Sequence, residues 1–339
     1  MMKAKLKFME RRRNSEERSV SGERRRSEDR RRFPEGSFNP DGPRRRITDE
    51  EFVSCGPLRR FPVANGIFYP DSREALISQI VSWGLKESYG APGFGGQVII
   101  APHGAWSISG KIAAAAFAAL QTGGQKVDEP ETDGISRVII LGPCHSPGEQ
   151  GIYLSESVSF QTPLGDLPVD RGVNRKLASC STLIRENDIF HLSEHSLEIL
   201  LPMVKYCFPD ARIVPILACG SRPVLISGLA RALAAILENY MEKTLLVIST
   251  NISVSSDPAL AFSMADEFRS ILLSMDTGAF LARLSGGHIS ACGGALVAAL
   301  LESGLLAGKR FTSLTPLSHG TEENGHIVYY GAFAAMREN

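Results

Sequence analysis

The sequence predicts a three-layer α/β/α sandwich about a mainly parallel or mixed central sheet. Three features of the chain predict it. From Phe61 onward, short runs of β-branched residues alternate with longer segments of helical apolar spacing. Each short run ends in a polar turn, and single candidate helices separate successive runs. A lone helix between two strands is a crossover connection, which sets neighbouring strands parallel and covers both faces of the sheet.

The strand candidates are QVIIAPH (97–103), SRVIILGPCH (136–145), ARIVPILACG (211–220) and TLLVISTNIS (244–253). The helix candidates span 71–85, 109–120, 197–208, 224–241 and 257–275, with Asp71, Ser109 and Asp257 as expected N-caps. A further helix, GALVAALLES, follows the ACGG of 291–294.

Charge divides the chain in two. Residues 1–50 hold 16 Lys and Arg against 10 Asp and Glu, which leaves 21 against 27 for the remainder of a chain whose net charge is zero. Residues 1–58 are rich in Arg, Glu, Ser, Pro and Gly, carry the near-repeats RRRNSEER, RRRSEDR and RRRITDEE, and lack apolar periodicity. They are expected to be a disordered tail ahead of an α/β domain at 59–339. Arginine clusters attract phosphate, but the interleaved acids weaken that pull and make nucleic acid an unfavoured partner.

The six cysteines form no CxxC pair, no apolar run reaches spanning length, and the N-terminus lacks a secretory core, so a cytoplasmic protein is expected. The Gly-rich PGFGG of 92–96 precedes a strand, whereas a phosphate-binding loop follows one.

Ligands of parallel sheets collect at the carboxyl ends of the strands. His103 and His145 each fall just past such an end, which turns two imidazoles toward one crevice. His195 stands in the turn before the helix from Leu197, and Cys292 precedes another helix. Imidazole and thiolate together suit Fe(II), Zn or Cu better than Mg or Ca. On these residues alone, His103 and His145 serve either as metal ligands or as hydrogen-bonded structural or substrate-contacting histidines, because no HExxH or CxxC fixes a geometry. His191 and His288 read as surface residues, and His319 and His326 as members of a solvated loop. Cys180, Cys207 and Cys219 read as core or near-core thiols, and Cys144 as a small buried residue rather than a reactive one.

Motifs in order along the domain add a resemblance. They are PVANGIFYP (62–70), APHGAWSISG (101–110), ILGPCHS (140–146), TPLGD (162–166), EHSLEILLP (194–202), VISTNIS (247–253), ACGG (291–294) and HIVYYGAFA (326–334). Together they resemble the Memo family, whose bacterial members are called AmmeMemoRadiSam system protein B. The resemblance implies a fold like that of class III extradiol dioxygenases and a non-haem metal, Fe(II) first, held by His103, His145 and Cys292. It implies proton handling by His195, with Asn251 and Glu198 in the pocket. It also implies a small-molecule or peptide ligand, and partners among radical-SAM and AMMECR-type proteins. One departure stands out: where the family has an acid and a histidine, this chain has Asn251 and Val254. Neither moves a proton near neutral pH. A non-catalytic metal- or peptide-binding module is therefore the alternative to an oxygen-linked enzyme.

Overall fold

The computed structural model describes residues 58–85, 97–120, 134–146, 148–238, 243–322 and 324–337. The expected tail, Leu58 apart, and the 92–96 glycines lie outside the described residues.

Eight strands form the main sheet: β1 (Gln97–Ala101), β2 (Arg137–Pro143), β3 (Gly151–Leu154), β4 (Ile184–Glu186), β5 (Arg212–Cys219), β6 (Thr244–Ser249), β7 (Lys309–Ser313) and β8 (Phe333–Arg337). Their spatial order is β7-β8-β1-β6-β2-β5-β3-β4. The central four, β1-β6-β2-β5, are parallel, while β8 against β1, β7 against β8 and β3 against β5 are antiparallel. The sheet is thus mixed with a parallel centre.

Alternation along the central strands makes the three layers. Ile99, Val138, Ile140, Leu245 and Val247 face one apolar layer, with helices α1 (Arg73–Ser82), α2 (Lys111–Ala118) and α4 (Leu201–Cys207). Val98, Ile100, Ile139, Leu141, Leu246 and Ile248 face the other, with α3 (Arg171–Cys180), α5 (Pro223–Leu237), α6 (Pro258–Ser274), α7 (Thr277–Ser285) and α8 (Gly294–Glu302). These strand side chains are fully buried, and each contributes about 1.5–3 kcal/mol by leaving water. Among the described residues, no helix is long and apolar enough to cross a membrane.

The local expectations hold unevenly. Asp257 caps α6, its Oδ1 accepting from the N–H groups of Ala259 at 2.8 Å and Leu260 at 3.2 Å. Ser72, not Asp71, caps α1, because its Oγ is the oxygen that meets the Ala75 N–H at 3.1 Å. Ser109 caps nothing: it is buried inside a π-type turn, Trp106–Gly110, that feeds α2. The helix expected over 197–208 opens with a 3₁₀ turn, Glu198–Leu200, before α4.

The run over 244–253, expected as a buried strand ending in a polar turn, leads from one sheet into another. After β6 the Thr250 N–H bonds the Ala101 carbonyl, and the Ile252 N–H then bonds the Tyr329 carbonyl. Residues Ser253–Ser255 thus join a small antiparallel sheet with Ile327–Tyr330 and Ser318–Thr321. The bend between the two sheets presents Asn251.

Candidate metal centre

His103 and His145 leave the sheet from β1 and β2, on either side of β6, so their rings meet above the β6 carboxyl end. The ring centroids lie 5.4 Å apart, edge to face. Cys292 reaches the same place from the turn before α8, its Sγ 3.2 Å from His103 Nε2. One donor atom from each of His103, His145 and Cys292 lies within 4.8 Å of the others. The turn that presents Cys292 requires glycine at 293, since a Cβ there would stand 2.6 Å from Thr250 Cβ and 2.8 Å from the Ser249 carbonyl oxygen.

The proton positions follow from the hydrogen bonds. Ser249 Oγ donates to the Ser196 carbonyl at 2.6 Å. Its single proton is thereby used, so it accepts from His103 Nδ1–H at 2.8 Å. That arrangement turns His103 Nε2 toward Cys292. His145 Nδ1 lies 2.9 Å from Glu194 Oε1, and a carboxylate only accepts. Nε2 is therefore the His145 nitrogen left for a ligand.

Charge completes the site. The half-buried Cys292 thiol loses hydration, which opposes ionisation, but His103 and His145 outweigh that and hold it well below the usual thiol range. The Asn251 N–H adds a donor 3.0 Å from Sγ. Burial pushes His145 down, yet its bonds to Cys292 and Glu194 lift it to about 10. A thiolate beside two imidazoles with oriented nitrogens is a donor set that fits a borderline or soft transition metal.

Glu194 is the residue that sequence reasoning missed. Its buried carboxylate accepts from the His145 N–H at 2.6 Å, His145 Nδ1 at 2.9 Å, and the His195 and Ser196 N–H groups at 2.9 Å each. His195 Nδ1 lies 3.2 Å from the same Oε1. Burial raises its pKa, but these partners more than reverse that and hold it well below the usual carboxylate range. His145, Glu194 and His195 form a second group of candidate ligand atoms. The signal available in the sequence was an acid directly before a histidine in a motif that also carries a strand-end neighbour's partner, Ser196.

His195 is buried and stacked between Phe68 and His145, at centroid distances of 5.0 and 5.1 Å. Asn251 is also present, its Oδ1 accepting from the His103 N–H at 3.2 Å. Glu198 lies elsewhere. It accepts from Arg60, from the N–H groups of Val63 and Ala64, and from Tyr69 at 2.8 Å, so it anchors the 60–69 segment instead of lining a pocket. Val254 is half-buried and packs against the apolar layer of α1, α2 and α4.

Two other expectations are corrected. His191 is buried, not exposed, because its Nε2 donates to the Tyr153 carbonyl at 3.1 Å; burial pushes it down to about 4 and keeps it neutral. Cys180, expected in or near the core, is exposed at the end of α3, where its thiol donates to the Lys176 carbonyl. His288 is exposed as expected; His319 is exposed too, but it lies on the strand Ser318–Thr321 against Tyr329 and not in a loop.

Comparison with known proteins places this arrangement. A MEMO1 family protein of Pyrobaculum aerophilum is 30% identical over 274 residues, covering 77% of this chain and 92% of its own. One from Thermotoga neapolitana is 28% identical over 271 residues, with the same two shares. The solved structure of an uncharacterized protein from Escherichia coli K12 covers 70% of this chain and 99% of its own, at a TM-score of 0.43 and 14% identity. The family model described as Memo-like protein matches residues 60–329, a span that holds β1 through β7 and every residue of the candidate centre. The chain belongs to the Memo family.

Proposed function

We propose that His103, His145 and Cys292 hold a transition metal, Fe(II) first and Zn or Cu as alternatives, in a redox or oxygen-linked enzyme acting on a small molecule or on a residue of a partner protein. The observation that carries this reading is the convergence of the three donors within 4.8 Å. Once bound, the metal supplies a Lewis-acidic, and for Fe or Cu redox-active, centre.

The chain's own residues supply orientation and proton handling. Glu194 fixes the His145 and His195 rings through a shared oxygen, the way carboxylates orient ligating histidines. With Nδ1 against Glu194, His195 would exchange a proton through Nε2, and its stacking on Phe68 keeps the ring in place. The family's implied partners, a radical-SAM protein and an AMMECR-type protein, belong to this proposal as well.

A second reading, a metal- or peptide-binding module without turnover, draws on two observations. Val254, half-buried against the apolar layer, carries no proton-transfer group, and the Asn251 amide is engaged with the His103 backbone. Elemental analysis of the purified protein tests metal binding for both readings. The expected result is one transition-metal ion per chain, lost in His103→Ala and in Cys292→Ala; metal retained in both variants would refute the assignment. Oxygen uptake by the loaded protein with catechol or thiol compounds then separates enzyme from module.

A further inference from the structure

A pair of thiols lies beside the centre and takes no part in it. β2 and β5 run parallel in a register that ends with Pro143 opposite Ala218. The next step continues it, since the Cys144 N–H bonds the Ala218 carbonyl at 3.0 Å. Cys144 and Cys219 are therefore neighbours across adjacent strands. Both side chains belong to the same apolar layer, Cys219 within it and Cys144 packed against it.

Adjacent strands stand about 4.8 Å apart, inside the roughly 4.4–6.8 Å between Cα atoms that a disulfide spans. The register and the shared face bring the two side chains side by side. Cys144 is half-buried and reachable from solvent, whereas Cys219 is 1% exposed. The pair thus has the asymmetry of an attacking thiol and a resolving one.

We propose that Cys144 and Cys219 are a reversible dithiol–disulfide site whose oxidant is a hydroperoxide. The Cys144 sulfur attacks the terminal peroxide oxygen. The O–O bond breaks, a sulfenic acid forms, and the alcohol or water leaves with the thiol proton. The Cys219 sulfur then attacks the Cys144 sulfur, the S–O bond breaks, and water carries off the second proton. Two thiols are oxidised by two electrons and one peroxide is reduced. A thiol reductant reverses the change, as for the transient disulfides of reducing compartments.

The test treats the full-length protein with a small excess of hydrogen peroxide, alkylates it under denaturing conditions, and maps the digest by mass spectrometry without reductant. The protein is expected to lose two of its six alkylatable thiols, to yield a Cys144–Cys219 linked peptide pair, and to regain both thiols with dithiothreitol. In Cys144→Ser, Cys219 should stay fully alkylatable after the same treatment. Oxidation of Cys144 to a sulfinate while Cys219 remains a free thiol would overturn the proposal. So would Cys144 linked to any other cysteine.

Discussion

Replacing Arg60 with alanine is expected to lower the stability of the domain by about 3–5 kcal/mol, the range for removing one partner of a buried ion pair. Arg60 is 1% exposed and Glu198 is wholly buried. Nε of Arg60 donates to the His191 carbonyl at 2.9 Å, Nη2 to the Glu194 carbonyl at 2.7 Å, and Nη1 to Glu198. Alanine would remove the guanidinium donors from two carbonyls and leave the buried Glu198 carboxylate without its counter-charge, held only by Val63, Ala64 and Tyr69. In a domain of this size the melting temperature should drop by about 10 °C, measured by differential scanning calorimetry. Glu198→Gln keeps an acceptor for the Val63 and Ala64 N–H groups and should cost less. If Arg60→Ala melts with the wild type, the 60–69 segment is not anchored as described.

Glu194→Gln is expected to weaken metal binding by about 10–100-fold, the usual effect of losing a carboxylate behind a ligating histidine. The amide has one oxygen where the carboxylate has two, and its NH₂ would face either the His145 N–H, in the place of Oε2, or the His195 and Ser196 N–H groups, in the place of Oε1. His145 would then lose its fixed orientation while all three candidate ligands stayed in place. Competition titration with a chromophoric chelator reads this change directly. An unchanged affinity would mean that Glu194 serves the turn and not the site.

Much of this was legible in the sequence because buried parallel strands write themselves plainly. The runs at 97–101, 137–143, 212–219 and 244–249 are nearly all apolar, and the histidines after the first two could only emerge at the carboxyl edge. Cys292 was placed by resemblance; its contact with His103 bridges 189 positions that no local pattern connects. Glu194 and Glu198 were harder to tell apart. They sit four residues apart in one motif, yet the 3₁₀ turn at Glu198–Leu200 sends one to the histidines and the other to Arg60. His191 was misread for a similar reason: its partner is a backbone carbonyl on β3, a contact invisible to spacing.

Thiolate ligation is the feature that most sharply separates this centre from a cluster of structural histidines. Cobalt(II) loaded into the protein reports it, because a cysteine sulfur on cobalt gives an intense near-ultraviolet charge-transfer band that nitrogen and oxygen ligands lack. The band should appear at one equivalent of cobalt and vanish in Cys292→Ser. A cobalt complex with no such band, or a band that survives Cys292→Ser, would show that the metal is not held by His103, His145 and Cys292.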